Sequence, residues 1–409
     1  MFHAVEKCRI CGNTNLIPVL ELGQQALTGV FPKIRDTNLT RGPLTLVKCS
    51  GESQCGLLQL AHSYSLDEMY GENYGYRSGL NPSMVAHLRS KVERIKRYGL
   101  IKPGDVVVDI GSNDATTLKQ YELTDCRLVG IDPTGAKFSN FYTSNIELIA
   151  DFFSAAAYRK LIGVRKAKVV TSFSMFYDLE DPTSFMREVS EILDDEGIWV
   201  FEQSYMPAML ATNSYDTVCH EHLEYYALAQ ILWMAEKVGL RVVDVETNDV
   251  NGGSFSVVVQ KVGGSMRPTP AVAAMISAEK SLCLDQLQTY VDFGLRVQQS
   301  KLALLDFLQD ARKNGRRVAA LGASTKGNVL LQFCNIDSSL IYAIGEVNPD
   351  KFGSFTPGTL LDIVDERQIL SDPPDHVLVL PWHFRSFFEC QPRYASLNLV
   401  YPLPLLSSR

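Results

Sequence analysis

Apolar β-branched runs separated by helical stretches recur along most of the chain. Val106-Val107-Val108 runs into Asp109-Ile110-Gly111-Ser112-Asn113-Asp114, after which Thr116 to Leu118 opens a helix. A continuous apolar run that stops at a glycine predicts a strand buried on both faces. Its carboxyl end is where open α/β sheets gather ligands. Arg127 to Asp132 follows at βαβ spacing, and a helix from Pro82 to Tyr98 leads in. Ala167 to Phe173 and Gly197 to Glu202 read as the fourth and fifth strands, with a helix from Pro182 to Leu193 between them. A helix from Leu228 to Val238 and strands Arg241 to Glu246 and Phe255 to Val259 complete a seven-stranded pattern with an antiparallel final pair. Gly263 to Pro270 is a linker by composition. Pro270 to Lys313 carries Leu295, Leu302, Leu305 and Leu308 at helical spacing. A second α/β series follows, with strands at Arg317 to Leu321, Leu340 to Ile344, Val377 to Leu380 and Leu397 to Tyr401.

These patterns predict an α/β protein in three parts. Residues 1–70 form a small module, 71–265 a central Rossmann-like domain and 266–409 a second Rossmann-like domain. With 46% hydrophobic and 21% charged residues, the composition is that of a globular chain. A net charge of −7 argues against a nucleic-acid partner, which needs a basic face. No apolar run is long enough to span a membrane, and the N-terminus lacks the apolar core of a signal peptide. The expected setting is reducing cytoplasm, where nine cysteines do not imply disulfides, and the expected state is a monomer.

Cysteine sets the chemistry of the first part. Cys8-x-x-Cys11 and Cys49-x5-Cys55 form two pairs, each ending in a residue followed by glycine. Four thiolates so arranged suit a tetrahedral, structural Zn2+, and the second pair argues against a redox Cys-x-x-Cys. The glycine- and tyrosine-rich stretch from Tyr70 to Gly79 reads as a solvent-facing loop.

The loop after the first central strand has one glycine where a dinucleotide site wants three, and it carries Asp109 and Asp114. Carboxylates repel a pyrophosphate and attract a cation, which favours S-adenosylmethionine (SAM), with its sulfonium and ammonium groups. Gly111, Ser112 and Asn113 would frame it, and Asp132, at the tip of the second strand, suits the ribose hydroxyls. Asp151 and Phe152 either hydrogen-bond and stack on the adenine or belong to the core. Ser172 and Phe176, at the end of the fourth strand, complete the candidate cofactor site.

Cys219-His220-Glu221-His222-Leu223-Glu224 is the densest titratable stretch. It reads either as a partial metal site or as a general base oriented by a carboxylate. In the last part, Gly322-Ala323-Ser324-Thr325-Lys326-Gly327-Asn328 between a strand and a helix is not a Walker A loop. Its amides beside Lys326 either suit an anion such as a diphosphate or belong to a ligand-free helper domain.

Taken together, the chain resembles the sugar C-methyltransferases that add a branch carbon to nucleotide-linked 4-keto-deoxysugars. The resemblance rests on the four cysteines, Asp109 to Asp114, the Tyr76-centred loop, Glu221-His222, Gly322 to Asn328, and Phe355-Thr356-Pro357-Gly358-Thr359. It spans the whole chain. It implies SAM-dependent methylation at C3 of a nucleotide-diphospho-4-keto-6-deoxyhexose, with His222 as base, Glu221 orienting it and Tyr76 offering a hydroxyl near the sugar. Ser324, Lys326, Asn328 and Asn348 would bind the nucleotide diphosphate. Cys219 and His220 depart from the tyrosine and acid of antibiotic-sugar members, so His220 is a second candidate base. Ala115 stands where the SAM loop commonly has glycine. Two other readings remain: O- or N-methylation of another acceptor, and a non-catalytic zinc-stabilised binding protein.

Overall fold

The computed structural model describes residues 2–35, 39–65, 77–121 and 124–408. The N-terminal module contains strands β1 (Phe2–Ala4), β2 (Leu16–Ala26), β3 (Arg41–Cys49), β4 (Leu58–Leu60) and β5 (His62–Tyr64). Leu20, Leu22, Leu44, Leu46, Leu58 and Leu60 alternate with other residues along β2, β3 and β4 and are all buried. That period of two gives the small sheet one apolar face.

The central domain begins with helix α1 (Pro82–Arg97), where Asn81 caps the first turn by accepting from the Ser83 amide. Strands β6 (Val106–Ile110), β7 (Arg127–Ile131) and β8 (Ile146–Ile149) follow, then helix α2 (Ala155–Ile162), β9 (Ala167–Phe173), helix α3 (Pro182–Ile192) and β10 (Leu193–Ser204). After the short helix α4 (Met206–Ala211) come β11 (Glu224–Tyr225), helix α5 (Leu228–Lys237), β12 (Leu240–Asn248) and β13 (Ser254–Lys261). The seven strands lie in the order β12-β13-β10-β9-β6-β7-β8. All five residues of β6 are buried, as a central parallel strand requires. β13 runs antiparallel to both β10 and β12. The expected helix after Gly111 is instead a turn leading to a 3-10 segment at Leu118–Tyr121.

β11 does not join that sheet. It pairs antiparallel with β4, so a strand of the central domain extends the N-terminal sheet, in the order β11-β4-β3-β2. A buried ion network fastens α1 to the central sheet: Glu202 receives Lys91 and His87, and Asp244 and Glu246 receive Arg94.

Helices α6 (Pro270–Ser281) and α7 (Leu287–Lys313) lead to the last domain. The packed face of α7 is Tyr290, Phe293, Val297, Leu304, Leu308 and Ala311, whereas Leu295 and Leu302 face solvent. The sequence pattern thus located the helix but chose two outward leucines. Strand β14 (Val318–Leu321), helix α8 (Thr325–Phe333) and strands β15 (Ile344–Glu346) and β16 (Ile363–Asp365) follow. The domain ends with helix α9 (Glu366–Ser371), β17 (His376–Val379), helix α10 (Arg385–Cys390), β18 (Leu399–Tyr401) and β19 (Ser407–Ser408). The sheet order is β16-β15-β14-β17-β18-β19, parallel except for the last pair. The strand expected at Leu340 to Ile344 begins at Ile344, because Asp337 accepts the Ser339 amide and holds a turn before it.

The leucine face of the N-terminal sheet, α7 and the last domain share one apolar core. The cysteine end of the module packs instead with α5 and the central sheet. The module is therefore wedged between the two larger domains, and its close fit includes the Val19 carbonyl, 2.9 Å from where a side chain at Gly294 would begin.

Candidate active site

Four cysteine sulfurs lie within 4.8 Å of one another. Cys8 and Cys55 are 3.3 Å apart and Cys11 and Cys49 3.5 Å. Ligands at about 2.3 Å around a tetrahedral ion would sit about 3.8 Å apart, close to this spacing. Asn13 donates to Cys49 Sγ at 3.3 Å, and buried Lys48 adds positive charge beside the cluster. The donor set fits zinc, held by residues that leave no open position for chemistry.

The SAM loop is built on Gly111, whose φ of +75° ends β6. A side chain there would meet Met175 Cγ at 3.1 Å, so glycine lets the turn pass under the Ser174–Met175 bend. Asp132 accepts from the Asn113 amide at 2.8 Å and from the Thr134 amide at 2.6 Å, joining the first two loops. Asp109 accepts from Thr171 Oγ1 at 2.6 Å, and burial pushes its carboxyl up to about 7. Asp114 accepts from the Gly79 amide and Asn113 Oδ1 from the Ser78 amide, so the segment beyond the tyrosine-rich loop is seated on this turn. Asp151 and Phe152 are exposed at the carboxyl end of β8, with 52% of Phe152 open to solvent. A glycine turn, an acid at the second strand tip and a free aromatic edge at the third together fit SAM.

Two expected cofactor residues lie elsewhere. Ser172 is fully buried and accepts from Trp199 Nε1, and Phe176 sits in an aromatic cluster with Trp199, Phe201 and Tyr226. Beyond the strand the exposed Ser174 and half-buried Met175 form the bend above Gly111. Tyr142, which no sequence motif marks, also belongs to this loop: its hydroxyl bonds Ser112 Oγ at 2.7 Å and donates to the Asn113 carbonyl at 2.9 Å. Tyr76 lies outside the described residues.

The loop between α4 and β11 carries the titratable cluster. His222 Nδ1 donates to the Thr217 carbonyl at 2.8 Å, and its ring meets Tyr177 edge-on at 4.4 Å. In the neutral ring this leaves Nε2 as the basic nitrogen. Burial chiefly, with Lys326 adding to it, lowers the imidazole to about 4. Its orienting partner is therefore a backbone carbonyl rather than Glu221. Glu221 Oε1 is 2.5 Å from the position a Gly29 Cβ would take, and that position is 4.0 Å from Thr325 Oγ1. Burial raises this carboxyl to about 7. His220 is 1% exposed and packs against Tyr64, sealed beneath the N-terminal module, so His222 is the more accessible imidazole.

Of the last domain's candidates, only Lys326 reaches this cluster. Its Nζ donates to the Asn251 carbonyl at 2.5 Å. Ser324 caps α8 by accepting from the Gly327 amide, and Asn348 accepts from the Asp350 amide. Asn328 is buried and donates to the Thr28 carbonyl at 2.7 Å, where it ties α8 to the N-terminal module.

Family models match three successive segments: a zinc binding domain at residues 8–70, a methyltransferase domain at 84–245, and a C-methyltransferase C-terminal domain at 249–404. The chain is 30% identical over 385 residues to the C-methyltransferase NovU of Streptomyces niveus, covering 93% of this chain and 90% of that one. The chain belongs to the SAM-dependent C-methyltransferases. Among solved structures, a SAM-dependent methyltransferase from Clostridium acetobutylicum overlaps 44% of this chain and 91% of its own, at 12% identity and a TM-score of 0.34. Magnesium protoporphyrin IX methyltransferase from Synechocystis overlaps 43% of this chain and 79% of its own, at 12% identity and a TM-score of 0.33. For this C-methyltransferase no helix among the described residues is long and apolar enough to cross a membrane. Its cofactors are SAM and a structural zinc ion.

Proposed function

We propose that the chain methylates C3 of a nucleotide-diphospho-4-keto-6-deoxyhexose, as part of branched deoxysugar synthesis. The observation that carries this reading is His222: a neutral imidazole fixed through Nδ1, with Nε2 directed away from its anchor and Glu221 beside it in the same loop. Carbon is a poor nucleophile unless an adjacent carbonyl acidifies it, so a C-methyltransferase with a positioned base suits an α-keto carbon.

SAM supplies an electrophilic methyl group. His222 Nε2 takes the proton from C3, which becomes the carbon of an enolate. That carbon forms its new bond to the methyl as the S–CH3 bond breaks, the ketone re-forms, and His222 returns its proton to solvent. Glu221, when ionised, stabilises the imidazolium formed in the first step. In this reading the loop before α8 takes the nucleotide diphosphate.

The test is incubation with SAM in deuterated water and a panel of dTDP-, GDP- and CDP-linked 4-keto-6-deoxyhexoses. A product gaining one methyl on carbon, with the C3 hydrogen lost, is the expected result. A methylated product that still carries a hydrogen or deuterium on C3 would assign the methyl to oxygen or nitrogen and remove this reading.

A further inference from the structure

The reaction proposed above leaves negative charge on the C4 oxygen at the moment the C3 proton departs. A base alone does not carry that charge, and oriented donors at the developing oxyanion are commonly the largest contribution to such a step. Lys326 is the cation that the fold brings to the His222 loop. It comes from the other Rossmann-like domain, where it is the second residue of α8. That domain is set against the loop at two points: Phe333 of α8 meets the Tyr215 ring edge-on at 5.3 Å, and Trp382 donates to Asp216 Oδ2 at 2.8 Å. Asp216 directly precedes Thr217, the residue that anchors His222.

Lys326 is also incompletely satisfied. An ammonium has three protons to give. One goes to the Asn251 carbonyl, and among the described residues no carboxylate lies within ion-pair distance of Nζ. Burial is the main influence on this ammonium and disfavours its charge, which an incoming anion would offset. The base beside it is neutral, and Asp216, the acid that favours its charge from a distance, is held by Trp382 rather than by Nζ.

The expectation from sequence gave Lys326 to the diphosphate. On the sugar, however, C4 is bonded to C3, whereas the diphosphate leaves from C1 across the ring from C4. A cation grouped with the base that works at C3 is placed for the C4 oxygen. We propose that Lys326 is a catalytic residue that holds the C4 oxygen of the ketone and stabilises the enolate while His222 removes the C3 proton. No bond to Lys326 forms, and the proposal rests on the C3-methylation reading.

The experiment separates proton removal from methyl transfer. With S-adenosylhomocysteine in place of SAM, C3 exchange of dTDP-4-keto-6-deoxyglucose in deuterated water is followed by mass spectrometry. Wild type is compared with Lys326→Met and Lys326→Arg, and dTDP and S-adenosylhomocysteine affinities are measured by calorimetry. Lys326→Met is expected to exchange and turn over about 100-fold more slowly at saturating sugar. Its KM and both affinities should stay within about threefold of wild type, because little ground-state binding is lost. Lys326→Arg, which keeps the charge, should recover at least about a tenth of the exchange rate. Weakened dTDP binding with unchanged exchange at saturation would overturn the proposal and return Lys326 to the diphosphate. Arg and Met variants that fall alike would also overturn it. Wild type that neither exchanges nor methylates any 4-keto sugar would remove the underlying reading, and the proposal with it.

Discussion

Arg9 Nε lies 3.6 Å from Glu224 Oε1, with 2% of one side chain and none of the other open to solvent. Arg9 stands between the first two zinc cysteines, and Glu224 stands two residues beyond His222. The guanidinium also donates to the Leu60 carbonyl and Ser63 Oγ, both at 2.8 Å, so it is fixed on the module. Neither Glu224 oxygen has a hydrogen-bond partner. Burial holds this carboxyl well above its usual range, and Arg9 opposes that. Removing one partner of a buried pair leaves the other uncompensated, at a cost of about 3–5 kcal/mol. Arg9→Met is therefore expected to lose about 3 kcal/mol in urea denaturation at pH 8. The loss should shrink as pH falls and Glu224 takes a proton. An undiminished loss when Arg9→Met is made in a Glu224→Gln background would show that Glu224 is not the group left exposed to burial.

Zinc removal should reach the active site through the same contact. β11 pairs with β4, and Gln230 donates to the Cys55 carbonyl at 2.9 Å, so the metal knuckle and the residues after His222 share hydrogen bonds. Structural zinc is worth roughly 10–16 kcal/mol in small zinc peptides, comparable to the whole stability of a domain. Cys8→Ser is expected to bind no zinc and to lose turnover, while S-adenosylhomocysteine affinity falls less, because the SAM loop is held by its own bonds between Asn113, Asp132 and Thr134. Metal content and calorimetry on one sample check this. A zinc-free variant with full turnover would rule out the coupling.

Much of this arrangement was legible in the sequence because it is local. The run Val106 to Val108 and its glycine define a central strand and its turn whatever surrounds them, and the two cysteine pairs meet as expected. Legibility stopped where residues act across domains. Asn328 looked like a ligand-facing amide in a loop–helix motif, yet it is committed to Thr28, some 300 positions away. Ser172, near the end of its strand, and Phe176, in the turn just beyond it, both point into the core, which their place in the sequence does not reveal. His222 stands out in the sequence as a titratable group, but the carbonyl that holds it, that of Thr217, has no side-chain signature. β11 is two residues long and carries no strand pattern of its own.

Gly29 offers a small perturbation of the active site. A methyl at this position would lie 2.5 Å from Glu221 Oε1, below any normal contact, with the carboxylate tip the group that must give way. Gly29→Ala is expected to change stability by no more than about 1 kcal/mol, since the clash is with the end of one side chain. Turnover should fall about tenfold through displacement of Glu221. Kinetics beside a thermal melt decide the matter, and Glu221→Ala combined with Gly29→Ala should show no further loss. Full activity in Gly29→Ala would mean that the Glu221 position is not critical.

The pH dependence follows from the two groups in this loop. His222, lowered to about 4, remains a neutral base throughout the ordinary working range. An acid limb near the usual histidine value is therefore not expected from it. Glu221, raised to about 7, is protonated below that pH and ionised above it. Ionised, it stabilises the imidazolium created by proton removal, and protonated it does not. The rate of C3 exchange should therefore rise with pH through about 7 and level off above it, while a residual rate continues at lower pH until His222 itself is protonated. Glu221→Gln should abolish the rise at 7 and hold the rate at the lower level across the profile. His222→Asn should remove exchange at every pH. A Glu221→Gln profile that still rises through 7 would assign that titration to another buried acid, of which Asp109, also raised to about 7, is the one seated in the SAM loop.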